Sequence, residues 1–317
     1  MWKYMDTYQC KQFLLSLNLL NGDMCDKDKI RKLYTISNRN QDNYRIYSFH
    51  KPNGKLRVIY EPNATLKYIQ RQILKNILND KKISSYAKAY HPGISLVENA
   101  KSHLQQPMIL KLDIQDFFNH IRFLDVYKTC FSLAYFPKPL GMLLTYLCTY
   151  EGHLPQGAPT SAYIANLVMQ EFDEEIGSFC EQNHIQYTRY SDDMTFSGCL
   201  QPHDIIVKVG HALQKRGLKL NKEKIHVIHR NGCQKVTGIV VNQKLQVPKV
   251  YRNKIRQEIY YIKKFGVSSH LERISSSVSV ETYLHHLRGK IEYVLQINPF
   301  DTEFVSYRKY MQEQIDK

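Results

Sequence analysis

Two neighbouring aspartates, Asp192 and Asp193, stand between the short runs "IQYTRY" and "MTFSG". Alternating side chains rich in Tyr, Thr and Phe are typical of β-strands, so the acid pair is predicted to lie at the tip of a hairpin. Asn-Gly and Asp-Gly are the usual residues of so tight a turn, and two like charges repel each other there. A solvated acidic turn is one explanation of the pair, and a bound cation is the other.

A second strand, predicted over "MILKLDI" (108–114), favours the cation. Three apolar residues share one face of this strand, and Asp113 lies on the other face, where a charge is costly unless it has a partner. If the strand lies beside the hairpin, Asp113, Asp192 and Asp193 converge. Three carboxylates at one place suit Mg²⁺. Two such ions, about 3.5–4 Å apart, can activate a hydroxyl and stabilise a leaving pyrophosphate.

The order of the predicted elements indicates the fold class. A hairpin is predicted over 44–62, one helix over 162–179 and one strand over 235–242, and the chain is helical from about 249. Helices do not alternate regularly with strands, so an antiparallel α+β core is favoured over a doubly wound sheet.

Charge and cysteine usage indicate the partner and the compartment. The 44 Lys and Arg residues outnumber the 29 Asp and Glu residues, a net charge of +15. This excess indicates a polyanionic partner, nucleic acid before membrane, although a solvated basic surface is the alternative. The seven cysteines form no CxxC pair, and no signal peptide or membrane-spanning run is recognisable. We therefore expect a cytoplasmic protein without disulfides and without a membrane partner.

Three strings in order, "LDIQDFF", "LPQGAPTS" and "YSDD", resemble motifs A, B and C of the reverse transcriptases. The resemblance spans about 44–242 and implies a right-hand polymerase fold with fingers, an antiparallel palm sheet that bears the acids, and a helical thumb. It implies that Asp113, Asp192 and Asp193 are catalytic and bind two Mg²⁺ ions. The expected domains are an N-terminal helical extension (1–35), fingers (36–106), palm with interleaved fingers helices (107–243) and a basic, RNA-binding thumb (244–317).

The same resemblance implies where the incoming nucleotide binds. Phe118 takes the position of an aromatic residue beneath the sugar, which favours dNTPs over rNTPs; core packing is its other explanation and the expected role of Phe117. Gln156 and Gly157 resemble the segment that contacts nucleotide and template, although "LPQGAPTS" would also mark a helix entrance.

Basic residues are expected around the triphosphate. Arg57 matches the residue that grips two of its oxygens, with Lys55 as a possible helper, and either side chain could simply be an exposed strand cation. "GLKLNKEKIHV" resembles motif D, in which Lys224 takes the position of the lysine that protonates the pyrophosphate. Lys222 competes for this role.

Two further strings resemble elements of the retron reverse transcriptases. "ENAKSHL" contains the NAxxH pattern at Asn99 and His103, and "KVTGIVV" contains a VTG triplet at Val236, Thr237 and Gly238. Ordinary helix packing for His103 and a strand with a bulge glycine for the triplet are the alternatives. One departure from the family is Ser191, where Ala is more usual.

The retron resemblance implies a dedicated structured non-coding RNA that is both template and primer. DNA synthesis would start from a guanosine 2′-OH and yield a branched RNA–DNA hybrid (msDNA). A role in anti-phage defence beside an effector encoded elsewhere is also implied. Two alternatives remain: a nucleic-acid-binding scaffold that restrains a toxin, and a reverse transcriptase of the group II intron or diversity-generating lineage.

Overall fold

A computed structural model describes residues 4–50, 54, 56–90, 93–274 and 278–316. The chain forms two compact units. Unit 1 comprises Met1–Ile94, Lys111–Thr195 and Leu200–His226, and unit 2 comprises Ser95–Leu110, Phe196–Cys199 and Val227–Lys317. Over the described residues, no helix has both the length and the apolar character needed to cross a membrane.

The α-helices follow one another along the chain as α1 (Thr7–Ser16), α2 (Asp26–Asn38), α3 (Ala64–Ile73), α4 (Leu96–Lys101), α5 (Phe117–His120), α6 (Phe123–Cys130), α7 (Lys138–Cys148), α8 (Ser161–Val168), α9 (Gln170–Gln182), α10 (Pro202–Gln214), α11 (Lys249–Phe265), α12 (Val267–Arg273), α13 (Val280–Ile297) and α14 (Thr302–Ile315). Short 3₁₀ segments lie at Asn40–Asn43 and Lys222–Lys224, and a π-helical turn at Leu74–Leu78 extends α3.

In the part of the chain that the structure describes, the strands form three sheets: β1 (Tyr44–His50) with β2 (Leu56–Pro62); β3 (Met108–Asp113) with β4 (Gln186–Tyr190), β5 (Asp193–Ser197) and β6 (His226–His229); and β7 (Lys235–Val236) with β8 (Ile239–Val240). The four-stranded sheet has the order β4–β5–β3–β6.

Backbone hydrogen bonds show the relative direction of strands β3 and β5 in the four-stranded sheet. The amide of Gly198 donates to the carbonyl oxygen of Met108 at 3.2 Å, and the amide of Ile114 donates to that of Asp192 at 3.0 Å. Because these partners run in opposite order along the chain, β5 and β3 are antiparallel. The predicted antiparallel α+β class is therefore confirmed.

Unit 1 contains the buried stripe of α3. Asn63 caps this helix by accepting from the Leu66 amide, and Leu66, Ile69 and Ile73 are fully buried at helical spacing. Helix α9 packs against β4 and α10 of the same unit, so the strand that leads into the acid pair rests on a helix.

Unit 2 is built around α11, α13 and α14. Ile255, Ile259 and Ile262 form the buried face of α11, within one hydrophobic cluster that includes Leu287 and Ile291 of α13. The termini follow ordinary capping rules: Ser279 and Asp301 accept amide hydrogens at the starts of α13 and α14.

Two predicted elements differ in the structure. The single helix over 162–179 is two helices, α8 and α9, because Met169 (ψ 0°) leaves the helical conformation between them. The single strand over 235–242 is a tight hairpin, in which Thr237 and Gly238 both have positive φ (+46° and +85°) between β7 and β8. A two-residue turn with two positive φ angles matches the right-handed twist of the flanking strands.

Candidate active site

The tip of the β4–β5 hairpin consists of Ser191 and Asp192. Ser191 has a left-handed backbone (φ +61°), which a non-glycine residue keeps only where its surroundings hold it. The bond from the Ile114 amide to the carbonyl oxygen of Asp192 ties this tip to the end of β3. Asp113 is the last residue of β3, so it lies next to the turn that carries Asp192.

The pKa values of Asp192 and Asp193 are raised at this junction. Burial is the largest cause of the raised pKa of Asp192, and the charge of Asp113 is the second. Burial and then the charge of Asp192 raise the pKa of Asp193 to about 6, with a smaller contribution from Asp113. The nearby ammonium groups of Lys111 and Lys224 lower that pKa but do not cancel the effect. Negative charge is therefore concentrated at this point.

Asp113 is almost fully buried, at 3% exposure, and has two side-chain donors. The Lys224 ammonium lies 2.6 Å from its Oδ2, and the Asn221 amide donates to its Oδ1 at 3.2 Å. Burial by itself would lower the pKa of Lys224, but the hydrogen bond and the charge of Asp113 outweigh it and raise that pKa. The predicted proton donor is thus held as a cation against a predicted metal ligand.

The donor chemistry fits Mg²⁺. This ion binds carboxylate oxygens, and the raised pKa values of Asp192 and Asp193 mark negative charge that a cation would offset. Within the described ranges, no three acidic, His or Cys side chains are already grouped around one point as metal ligands. Asp113 is instead in contact with Lys224, so an ion between Asp113 and Asp192 would have to share that carboxylate with the ammonium.

A cavity of about 1200 Å³ opens beside Asp113 and Asp192. Its lining includes the segment that follows β3, residues of α10, and the loop 218–224 that carries Lys222 and Lys224. It is large enough for a drug-sized ligand, for which pockets of about 300–1,000 Å³ are typical.

Phe117 and Phe118 differ in burial. Phe117 is buried at 3% exposure and Phe118 is half-buried, although both line the cavity, and their rings stand edge to face with centroids 5.4 Å apart. Asp116, just before them, has a left-handed backbone (φ +45°). This turn starts α5 directly after β3 and brings Phe118 to the cavity.

Gln156 and Gly157 lie against strand β2. Gln156 lines the cavity, and its carbonyl oxygen accepts from the Tyr60 amide at 2.8 Å. Gly157 has φ +124°, and a Cβ there would stand 2.9 Å from both the Ile59 side chain and the Tyr60 carbonyl oxygen. Glycine is thus needed for the close approach of two backbones, a role distinct from ligand contact.

The predicted basic residues are not all brought to the cavity. Lys222 and Lys224 line the cavity. Among the described basic residues that are predicted near the triphosphate, only Arg57 does not line it. Arg57 is exposed on β2, opposite Phe49 in the β1–β2 register. Lys55 lies outside the described residues.

Comparison with known proteins identifies the family. The model of the family "Reverse transcriptase (RNA-dependent DNA polymerase)" matches residues 49–261. The Escherichia coli Retron Ec86 reverse transcriptase is 29% identical over 93% of this chain and 90% of its own length. The Escherichia coli Retron Ec83 reverse transcriptase is 30% identical over 83% and 86%, respectively. The chain belongs to the retron reverse transcriptases.

A solved structure of apo telomerase from Candida tropicalis aligns with a TM-score of 0.47 and 14% identity, over 65% of this chain and 55% of that one. Family membership confirms the predicted reverse transcriptase of retron type, its right-hand polymerase fold and its activity as an RNA-directed DNA polymerase. The roles of individual residues remain predictions.

The two retron elements of this reverse transcriptase meet inside unit 2. Asn99 and His103 are buried, at 1% and 0% exposure. The Asn99 amide donates to the hydroxyl of Thr237 at 3.5 Å, and Nδ1 of His103 lies 2.7 Å from the hydroxyl of Ser197 at the end of β5. Val236 is fully buried as well. These side chains therefore face the interior of unit 2.

Sequence reasoning missed two residues beside the acids of this reverse transcriptase. Asn221 contacts Asp113, and its signal was the Asn of "GLKLN", recognised as a motif but given no role. Arg189 is fully buried next to the hairpin tip. Its signal was a charge inside a strand whose neighbours predict burial.

Proposed function

We propose that this reverse transcriptase copies a dedicated structured non-coding RNA into DNA and joins the two as a branched RNA–DNA hybrid, starting from a guanosine 2′-OH. The proposed catalytic activity is supported by one observation, the junction of β3 with the β4–β5 tip. There the charge of Asp113 is close enough to Asp192 to raise the pKa of Asp192. The branched product is supported by the relatives' type alone.

In this proposal Asp113, Asp192 and Asp193 hold two Mg²⁺ ions, which when bound supply charge stabilisation to the attacking hydroxyl and to the leaving pyrophosphate. Lys224, raised in pKa and therefore protonated at neutral pH, supplies the proton that the pyrophosphate takes up. Its contact with Asp113 keeps it at the site before substrate arrives.

The remaining site residues select and orient the nucleotide. Phe118 is proposed to lie beneath the sugar and to exclude a ribose 2′-OH, because it lines the cavity and is half-buried, whereas Phe117 is buried. Gln156 lies at the same cavity, and Gly157 holds it against β2. Arg57 is proposed to approach the triphosphate from the β1–β2 hairpin, with Lys55, two residues earlier in the sequence, as its helper.

The proposed RNA surface lies on the predicted thumb (244–317). Lys263 stands over the rings of Tyr307 and Tyr310, with its ammonium 5.7 and 4.8 Å from their centroids, and Lys264 stands over Tyr260. Cations next to aromatic rings suit phosphate contact and base or sugar stacking. With a net charge of +15, RNA affinity is expected to fall steeply with salt.

The test is DNA synthesis by the purified protein with its cognate RNA, dNTPs and Mg²⁺. Asp192→Asn should lower the rate by about 10³-fold, because several kcal/mol of metal-dependent stabilisation are lost. Asp204→Asn, an exposed aspartate of α10, is the matched control and should keep the wild-type rate. Equal activity of Asp192→Asn and wild type would refute the proposed site. A product that is not attached to RNA through a 2′-linkage would refute the branched hybrid.

A second active-site variant, Asp193→Asn, addresses the proposed cytoplasmic role in anti-phage defence. If DNA synthesis is required, cells that carry Asp193→Asn should lose protection against phage while the protein still binds its RNA. If cells with Asp193→Asn are still protected, the second candidate function is favoured, a scaffold that binds RNA and restrains an effector. The net charge of +15 supports this candidate.

A further inference from the structure

A buried ion pair lies directly behind the catalytic hairpin of unit 1. Arg189 of β4 and Asp173 of α9 both have side chains with no solvent exposure. Nε and Nη2 of Arg189 donate to the two carboxylate oxygens of Asp173 at 2.8 and 2.7 Å. The hydroxyl of Tyr187 also donates to this carboxylate, at 2.9 Å. Asp173 is therefore saturated by donors and holds the guanidinium plane in one orientation.

The third arm of the same guanidinium reaches the turn. Nη1 of Arg189 donates to the carbonyl oxygen of Ser191 at 2.9 Å. Ser191 is the residue with the left-handed backbone, and Asp192 is the next one along the chain. A peptide plane held at the Ser191 carbonyl fixes the amide nitrogen and Cα of Asp192. The bond from the Ile114 amide holds the carbonyl oxygen of Asp192, so the two contacts together set the direction in which the Asp192 side chain leaves the turn.

The backbone of Arg189 is held as firmly as its side chain. Its amide donates to the Tyr86 carbonyl oxygen at 2.9 Å, and its own carbonyl oxygen accepts from the Lys88 amide at 2.8 Å. The Arg189 guanidinium therefore connects strand β4 and helix α9, both held in place, to the turn at Ser191.

A buried ion pair is poor evidence for a purely stabilising role, because well-packed apolar residues often replace such a pair without loss of stability. A lysine could not reproduce the arrangement, since a single ammonium lacks the planar fork that serves Asp173 and Ser191 at once.

We propose that Arg189 is a positioning residue of the polymerase: anchored on Asp173, it holds the Ser191 carbonyl and so orients the Asp192 carboxylate for metal binding beside Asp113. This inference rests on the proposed role of Asp192 as a metal ligand. Arg189 itself is fully buried, so its proposed role is indirect.

The test compares the wild type with the double variant Arg189→Met/Asp173→Leu, which removes both buried charges together. We expect it to stay folded, with circular dichroism and RNA affinity like those of the wild type. Its kcat should fall by about 10- to 100-fold, and the Mg²⁺ concentration for half-maximal rate should rise similarly, as when a residue that orients a metal ligand is lost. The KM for dNTP should not change. Mn²⁺ binding, followed by electron paramagnetic resonance without substrate, should weaken in parallel.

Arg189→Lys is the second variant, because it keeps a cation beside Asp173 while losing the contact with Ser191. It should show the same fall in kcat and in Mn²⁺ affinity, and it decides the question if the double variant does not fold. The matched control is Arg256→Met/Glu303→Leu, which removes a bidentate pair of the same chemistry from unit 2 and should leave Mn²⁺ affinity unchanged.

Wild-type kcat and Mn²⁺ affinity in a folded Arg189 variant would overturn the inference. The failure of the proposed function has a different signature. If the Asp192→Asn variant is active, the proposed role of Asp192 as a metal ligand is refuted. If Asp192→Asn is inactive and Arg189→Lys is fully active, only the positioning role of Arg189 is refuted.

Discussion

Two arginine–carboxylate pairs of this reverse transcriptase have the same geometry in different surroundings. In unit 1, Arg189 and Asp173 form two bonds of 2.7–2.8 Å and are fully buried. In unit 2, Arg256 and Glu303 form two bonds of 2.6–2.7 Å, but their side chains are 33% and 37% exposed. Water can replace either partner in the second pair and neither in the first. The comparison teaches that solvent access, more than bond length, sets how much each pair matters.

The largest expected effect is on stability when the buried pair is broken from one side. Asp173→Ala leaves the Arg189 guanidinium buried without its counter-charge, which should cost about 3–5 kcal/mol of unfolding free energy. Urea unfolding at pH 7 measures it. The double variant Arg189→Met/Asp173→Leu serves as the control and should recover most of the loss, since no buried charge remains. A loss below about 1 kcal/mol for Asp173→Ala would mean that water reaches the site, and the contrast between the pairs would disappear.

The packing around α9 gives the next effect. Gly177 lies one helical turn after Asp173, and a Cβ there would stand 2.1 Å from the ring of Tyr86, whose carbonyl oxygen accepts from the Arg189 amide. Gly177→Ala should therefore cost about 1–3 kcal/mol through overpacking. Gly289→Ala in α13 of unit 2 is the matched control, because nothing lies within 4 Å of its added Cβ. It should stabilise the protein by up to about 1 kcal/mol through helix propensity. Thermal unfolding measures both effects. If the melting temperatures of Gly177→Ala and Gly289→Ala shift in the same direction, the predicted difference between these two positions is contradicted.

Much of the catalytic junction was predictable because it follows from local patterns. A strand with apolar residues on one face and Asp113 on the other, and a hairpin with acids at its tip, are readable from side-chain periodicity. Their adjacency followed once the motifs were recognised in order. The greater burial of Phe117 relative to Phe118 was expected only from the family resemblance.

Other features depend on contacts or backbone angles that periodicity does not encode. The apolar residues of 235–242 are compatible with one strand or with a hairpin, and the difference lies in the positive φ of Thr237, a residue that seldom adopts it. The partner of Arg189 lies 16 residues earlier, on a helix in which Glu174 and Glu175 directly follow Asp173, so the sequence does not show which carboxylate pairs with Arg189. The contact between Lys224 and Asp113 likewise required the folded loop.

The smallest expected effect concerns the exposed pair. The hydrogen bond from Arg256 is the largest cause of the lowered pKa of Glu303. A carboxylate whose pKa is lowered by folding adds stability above its unfolded pKa of about 4.3, and that contribution is lost as the pH falls through the folded pKa. Because both side chains are about one-third exposed, Glu303→Gln should cost no more than about 1 kcal/mol at pH 7. The difference from wild type should shrink as the pH falls below about 4.3 and through the lower folded pKa. Urea unfolding at pH 7 and across this acidic range measures it, with Glu281→Gln, an exposed glutamate of α13, as the control. A cost at pH 7 as large as that of Asp173→Ala would show that exposure does not separate the two pairs, since solvent screening is the only difference on which this prediction relies.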